Sequence, residues 1–235
     1  MVFGLFGSKV DRLKKAARQR YGQHEPRKDA MLRLLQMADF EAYSAVLSRF
    51  MVNCDSPHWD EKEKTWLAQR LSERQGDEEL LRALSALLMS GERLNQVLSV
   101  ARQLMDKETY TDQVQAAFKK RLGDHRAADA SVELITALGD IGGEVAIRAG
   151  LDALGDRSDE VILAGIALLQ KTPGEGVAEG LYHLAFDPLQ MPRVVRCAGQ
   201  AIVALELSDP LGRDELPSAL SEDFNLLGGR LLPRA

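Results

Sequence analysis

The segment Ala137-Leu-Gly-Asp-Ile-Gly-Gly-Glu-Val-Ala-Ile147 has the pattern of a helix end, a glycine turn and the start of a second helix. Apolar residues continue on both sides of it at helical spacing, and the pattern returns later in the chain after 31 and a further 36 positions. The matched pairs are Ile135 and Leu138, Ile166 and Leu169, and Ile202 and Leu205. A period of this length with two helices in each unit predicts stacked helical hairpins.

Helices are also predicted upstream of this repeat, because apolar residues recur at spacings of three and four in six earlier stretches. These stretches are residues 27–38, 39–51, 60–74, 80–91, 94–104 and, more weakly, 106–124. Strand-like alternation is nearly absent from the sequence. We therefore predict an all-α fold, an α-solenoid of stacked antiparallel helical hairpins.

The repeated turn resembles a known family. The motif Ala137-Leu138-Gly139-x-Ile141-Gly142, followed by Ala146-Ile147 and an acidic turn at Asp156, is similar to the HEAT repeat in the short bacterial form seen in phycobilisome-lyase-type proteins. Arg148 stands where a proline follows Ala-Ile in the family pattern. The resemblance implies a helical-repeat fold and says little about activity, because the motif consists of core and turn residues.

The resemblance extends over roughly residues 125–207 and is degenerate over 27–105. We predict four parts along the chain. They are a basic amphipathic N-terminal helix or cap (1–24), degenerate helical repeats (25–124), HEAT-like repeats (125–207) and a C-terminal cap or tail (208–235). In the last part we expect one short helix near residues 215–221 and several leucines that pack on the last repeat. These leucines are Leu226, Leu227, Leu231 and Leu232.

Charge is distributed unevenly along the chain. Its 30 Lys and Arg and 35 Asp and Glu give a net charge of −5, but residues 1–28 alone hold eight basic and two acidic residues. That segment carries about +6, which leaves about −11 on the rest of the chain. An acidic body disfavours nucleic acid as a partner, because binding to a phosphate backbone needs clustered positive charge.

The basic N-terminal segment has two interpretations. Its apolar stripe and its basic residues would suit a helix lying in an anionic membrane interface, with phenylalanines at the acyl boundary and lysines at the head groups. The candidate membrane contacts are Phe3, Phe6, Lys9, Val10, Arg12, Lys14 and Lys15. The alternative, which we favour on the sequence, is a helix that covers the exposed end of the solenoid, as terminal repeats require.

The stretch Cys54-Asp-Ser-Pro-His-Trp-Asp-Glu-Lys-Glu63 contains the residue types of a metal or acid–base site. A local structural role explains it better. Pro57 would stop the preceding helix, Asp60 would cap the next helix, His58 would lie in the loop and Trp59 would pack under the turn. We therefore predict neither a metal site nor a cofactor.

No catalytic signature is found in the sequence, which contains no phosphate loop, dinucleotide fingerprint or zinc-ligand helix. We therefore predict that the chain is not an enzyme but a scaffold or adaptor that binds a protein partner on the concave face of the solenoid. The candidate partner-binding residues fall off the apolar stripes of their helices. They are Arg148, Asp152, Glu179 and His183.

Two alternative functions stay open. The first is a peripheral membrane adaptor anchored by the basic N-terminal helix. The second is an enzyme, since the resemblance extends at the level of fold to DNA glycosylases and, by repeat subtype, to bilin lyases. No apolar run reaches the ~18 residues that a membrane span requires, and the N-terminus lacks a signal-peptide pattern. We therefore expect a cytoplasmic protein, located at the inner membrane surface if the helix binds lipid.

Overall fold

The computed structural model describes residues 8–210, 212–213 and 215–234 and is built almost entirely of helices. The α-helices are α1 (Lys9–Ala17), α2 (His24–Met37), α3 (Phe40–Leu47), α4 (Pro57–Ser72), α5 (Glu78–Ser90), α6 (Asn95–Leu104), α7 (Lys107–Arg121), α8 (Ala128–Ile141), α9 (Gly143–Leu154), α10 (Asp159–Lys171), α11 (Val177–Ala185), α12 (Pro192–Ala204) and α13 (Ser218–Ser221). Short 3₁₀ helices cover Ser48–Met51 and His125–Ala127, and two strands, β1 (Phe224–Leu227) and β2 (Arg230–Pro233), pair near the C-terminus. The predicted all-α fold of stacked helical hairpins is confirmed.

The chain forms two compact units, residues 1–117 and residues 118–235. In the first unit α1 packs on α2 and α3, α3 packs on α5, and α4 packs on α6. Most of the side chains enclosed at the centre of this unit are apolar, as the helical periodicity of the sequence requires. Its largest enclosed apolar side chains include Met31, Leu34, Tyr43, Leu67, Leu71, Leu80 and Leu84.

In the second unit the helices form two layers. α10 packs against both α8 and α12, while α9 packs against α11. α9 also packs on α8 and α10, and α11 packs on α12, so successive helices stack on their neighbours as HEAT-like repeats do. The residues that mark the repeat in the sequence line this core. Ile135, Leu138, Ile166, Leu169 and Ile202 are all buried.

The turn between α8 and α9 falls within the segment where the sequence predicts a glycine turn. α8 continues through Gly139 to Ile141, and the chain reverses at Gly142 and Gly143, which have φ of +76° and +65°. Such left-handed backbone is readily adopted only by glycine. Gly139 does not end the helix; a Cβ built there would lie 2.9 Å from Leu168 Cδ1, so it marks a close approach to α10.

The C-terminal segment contains a β-hairpin that the sequence analysis missed. β1 and β2 are antiparallel, with Leu226 opposite Leu231, and Gly228 and Gly229 make the two-residue turn with positive φ. Phe224 and Leu231 are buried in the same cluster as α12, whereas Leu227 and Leu232 are exposed. The prediction that four leucines pack on the last repeat therefore fails for two of them, because strand residues alternate between opposite faces.

Candidate functional site

The first unit presents an aromatic and basic surface formed by α2 and α4, which pack against each other. Its members are His24 and Lys28 on α2 and Trp59, Lys62 and Trp66 on α4. We call these five residues the aromatic–basic surface. Residues three or four apart share one side of a helix, so the spacing aligns each set. The two tryptophans are the only ones in the chain.

Stacking and cation–π contacts hold these side chains in place. The imidazole of His24 is nearly parallel to the indole of Trp59, with 4.1 Å between ring centroids and 12° between planes. The Lys62 ammonium lies 5.2 Å from the Trp59 ring centroid, and the Lys28 ammonium lies 5.3 Å from that of Trp66. Together they line a hollow of about 160 Å³. Trp59 is 39% exposed, so its ring is open to contact from outside.

The start of α4 corrects the sequence prediction. The helix begins at Pro57, so His58 is helical rather than in a loop, and Asp60 is not the helix cap. Trp59 does not pack under the turn but stacks on His24 at the surface. The boundary lies three residues earlier than predicted because proline is well suited to the first helical position, where it needs no N–H partner.

Four charged side chains are buried together beside this surface: Arg27, Arg49, Asp60 and Glu63. Arg27 Nε donates to both Glu63 oxygens at 3.0 and 3.1 Å, and its Nη2 lies 2.9 Å from Oε1. Arg49 Nη2 donates to Asp60 Oδ1 at 2.7 Å and to Glu63 Oε2 at 2.9 Å. The opposite charges offset the desolvation cost that each would have alone. The network thereby fixes α4 against α2 and against the 3₁₀ helix Ser48–Met51.

The network also sets the protonation of Asp60 and Cys54. Burial alone would raise the pKa of Asp60, but hydrogen bonds from Lys64, Arg49 and the Cys54 N–H outweigh it and lower that pKa to about 2. Burial raises the pKa of the Cys54 thiol, and the nearby Arg49 charge offsets only part of this effect. This raised pKa favours the thiol form of Cys54 over the thiolate at neutral pH.

Helix α1 buries one side and leaves its basic side open. Val10 and Ala17 are buried where α1 packs on α2 and α3. Four basic residues of α1 are candidate membrane contacts. Three of them are exposed, namely Lys9, Arg12 and Lys15, and the fourth, Lys14, is half-buried. The loop after α1 is tied to the buried network, since Arg27 Nη1 donates to the Gly22 carbonyl at 3.1 Å.

The remaining candidate membrane contacts are placed differently. Val10 packs inside the protein, so it contacts other protein groups and not the surroundings. Phe3 and Phe6 lie outside the described residues. Within the part of the chain that the structure describes, no helix combines the length and apolarity that crossing a membrane would need.

In the second unit the structure brings two of the four predicted partner-binding residues to one cleft. Glu179 and His183 lie one turn apart on α11, with 3.8 Å between Glu179 Oε1 and His183 Nε2. The cleft has a volume of about 750 Å³ and is bordered by α9, α11 and the segment that carries Arg213. Its apolar side includes Leu151 and Leu154. Glu179 and His183 are both more than half exposed.

The other two predicted residues do not line this cleft. Arg148 is exposed and pairs with Glu144 at 2.7 Å, one turn earlier on α9. Asp152 is half-buried on the same helix. Among the described residues, no group of three or more His, Cys, Asp or Glu side chains is arranged to hold a metal ion.

The aromatic–basic surface was not predicted from the sequence. A signal existed, because Trp59, Lys62 and Trp66 follow at spacings of three and four on one predicted helix. His24 and Lys28 belong to another helix, and a helical period does not reveal which helices pack together. The juxtaposition of the two sets therefore required the structure.

Stacked helices, joined in the second unit by left-handed glycine turns, define an all-α protein of the HEAT-like repeat class. No protein-family model matches the sequence, and no match was found among curated proteins. Among solved structures, the chain is similar to human deoxyhypusine hydroxylase in complex with glycerol. The two share 17% identity with a TM-score of 0.36, and the match covers 91% of this chain and 87% of that chain. This likeness assigns no activity or substrate to the present chain.

Two predictions are corrected here. A non-enzymatic scaffold that binds a protein partner on its concave face is contradicted, because the similar solved chain is by its name a hydroxylase. The prediction that the chain is not an enzyme is contradicted by the same finding.

Proposed function

We propose that the protein is a peripheral membrane protein that attaches to an anionic membrane surface through the first unit. The observation that carries this proposal is the exposed basic side of α1, formed by Lys9, Arg12 and Lys15, in the same unit as the aromatic–basic surface. α1 packs directly on α2, the helix that carries His24 and Lys28.

The residue types match the chemistry of a membrane interface. Tryptophan and tyrosine rings favour the head-group level, where one part of the ring is apolar and the other is hydrated. Trp59 is 39% exposed and Tyr21, in the loop between α1 and α2, is 69% exposed. Lysine and arginine near an anionic surface each contribute about 1 kcal/mol of attraction, which decays within a Debye length.

The charge distribution supports attachment by one end of the chain. Residues 1–28 carry about +6 and the rest about −11, so an anionic membrane attracts the N-terminal segment and repels the remainder. We propose that the protein binds the inner surface of the cell membrane, because the cytoplasmic leaflet is negatively charged. The full chain would then bind reversibly and with strong salt dependence.

We also propose the phycobilisome-lyase-type subtype of the HEAT repeat for the second unit. It is supported by the Ala137–Gly142 motif, which forms the end of α8, and by Ala146, which is buried at the start of α9. An alignment of relatives tests this subtype. Retention of small or apolar residues at both places, together with the glycine turn, is the expected result, and their free variation would contradict it.

The membrane proposal is tested by binding of the full chain to vesicles of phosphatidylcholine with and without added phosphatidylserine. Because both tryptophans belong to the aromatic–basic surface, their emission should shift to the blue with the anionic vesicles only. The variant Lys9→Gln/Arg12→Gln/Lys15→Gln removes three exposed charges and should weaken partitioning about 100-fold.

The matched control removes three exposed arginines from the second unit. Arg148→Gln/Arg193→Gln/Arg196→Gln changes the net charge by the same amount and should leave vesicle binding close to that of the wild type. Equal binding of both vesicle types, or equal losses in the two triple variants, would overturn the proposal. A tryptophan response to a single-stranded oligonucleotide but not to vesicles would assign the surface to nucleic acid instead.

A further inference from the structure

The cleft of the second unit is large enough for a small organic ligand. Its volume of about 750 Å³ lies within the range of roughly 300–1,000 Å³ typical of small-molecule sites. Leu151 and Leu154 from α9 and Leu184 from α11 give it an apolar side, and polar side chains border the rest. The charges on that polar border decide which ligand the cleft suits.

Among the described lining residues of the cleft, the one arginine is already neutralised. The Asp209 carboxylate, whose side chain is fully buried, accepts from the Arg213 backbone N–H at 2.8 Å and from Arg213 Nη1 at 3.0 Å. The guanidinium carbon lies 4.8 Å from the ring centroid of Phe186, so the group is held on two sides. Arg213 therefore forms a fixed wall whose charge is offset by Asp209, and it is poorly placed to attract an anion.

The other charged residues of the described lining are acidic. Glu179 is 63% exposed, and its carboxylate lies on the cleft side of α11 near His183. Asp187 follows the helix, where its oxygens accept from the Leu189 N–H at 2.9 Å and from Gln190 Nε2 at 3.4 Å. With histidine counted as neutral, the described lining residues and the buried partner of Arg213 sum to about −2. The cleft combines this negative charge with an apolar side.

We propose that this cleft binds an organic cation, an ammonium group joined to a hydrocarbon body. The ammonium contacts the Glu179 carboxylate, and the negative field of Asp187 adds to the attraction. The hydrocarbon lies on Leu151, Leu154 and Leu184, where burial of apolar area stabilises it. This site is separate from the membrane contact proposed above, because all of its residues belong to the second unit.

The probes are n-hexylammonium and hexanoate, which share a hydrocarbon chain and differ in the sign of the charge. In calorimetric titrations of the chain we expect the ammonium to bind and the carboxylate to bind at least fivefold more weakly. Glu179→Gln should weaken hexylammonium binding about fivefold, since it removes one partly exposed charge contact without changing the side-chain size.

Glu144→Gln is the control, because Glu144 is an exposed glutamate of the same unit that pairs with Arg148 outside the cleft lining. It should bind the ammonium as the wild type does. Equal affinity for the two probes would mean that only the hydrocarbon is recognised, and it would overturn the proposal. A Glu179→Gln variant with wild-type affinity would overturn it as well, whatever the outcome of the vesicle experiments.

Discussion

Arg49 is the most enclosed charge of the first unit, since its side chain is 0% exposed. It reaches Asp60 and Glu63 through one nitrogen, Nη2, and the Val52 carbonyl through Nη1. A buried guanidinium is stable only with carboxylates at this distance, because the desolvation of each ion alone costs several kcal/mol. Of the two carboxylates that pair with Arg49, Asp60 is the more exposed to solvent, because its side chain is 12% exposed against 3% for Glu63.

The change in the free energy of unfolding with pH should reveal the ionisation of Asp60. Its pKa is about 2 in the folded protein, against about 3.9 for an unperturbed aspartate. A lowered folded pKa contributes stability above the unfolded pKa, and that contribution is lost as pH falls from about 4 to about 2. Urea unfolding between pH 6 and pH 2 measures this contribution. Asp60→Asn should be less stable than the wild type at pH 6. On acidification its free energy of unfolding should fall by up to about 2 kcal/mol less than that of the wild type.

Asp129→Asn is the control for this experiment, because it removes an exposed carboxylate of α8 and leaves Asp60 intact. It should retain the wild-type fall between pH 4 and pH 2. If Asp60→Asn shows the same fall, the acid sensitivity arises elsewhere in the chain.

At the scale of elements, the sequence predicted the helices well because each one carries its own apolar stripe. The β-hairpin was missed although Leu227-Gly-Gly-Arg230 is a two-residue turn pattern between short apolar runs. Runs of four residues are too short to separate strand from helix by period, and the surrounding helical repeat favoured the wrong alternative. The early start of α4 was missed for a related reason, since Pro57 can either follow one helix or begin the next.

Close packing between α9 and α10 depends on a glycine. A Cβ built on Gly165 would lie 2.7 Å from Ala153 Cβ and 3.0 Å from the Gly150 carbonyl oxygen, neither of which can move away freely. Gly165→Ala should therefore lower the free energy of unfolding by about 1–2 kcal/mol, because the clash outweighs the gain of roughly 0.5–1 kcal/mol from alanine in a helix. Urea denaturation of the full chain measures the difference.

Gly139→Ala is the matched control, since Gly139 is also inside a helix. Its added Cβ would meet only Leu168 Cδ1, the mobile end of a side chain, at 2.9 Å. The variant should therefore be as stable as the wild type or slightly more stable. Equal losses in both variants would show that the α9–α10 contact adapts and that glycine is not required there.

At the scale of the whole molecule, the two proposed sites lie in different units. The aromatic–basic surface and the buried charge network belong to residues 1–117, and the cleft belongs to residues 118–235. The sequence indicated the charge asymmetry between the N-terminal segment and the rest, and it selected Glu179 and His183. It could not reveal the network, because Arg27 and Glu63 are 36 positions apart and arginines are rarely buried.

Because the buried charge network lies in the first unit, we expect its loss to destabilise that unit and not the other. Glu63→Gln leaves two buried guanidiniums with one carboxylate fewer, which should cost about 3–5 kcal/mol. In helical-repeat proteins each element is stabilised mainly by its neighbours, so opening is local. Hydrogen exchange of the full chain should therefore accelerate in peptides from residues 8–117 and stay near the wild-type rate in those from residues 128–210, which begin after α7. Glu73→Gln, which breaks only the exposed pair with Arg70 at the C-terminal end of α4, should change neither group of peptides appreciably. Equal acceleration across both ranges in Glu63→Gln would show instead that the chain opens as one cooperative unit.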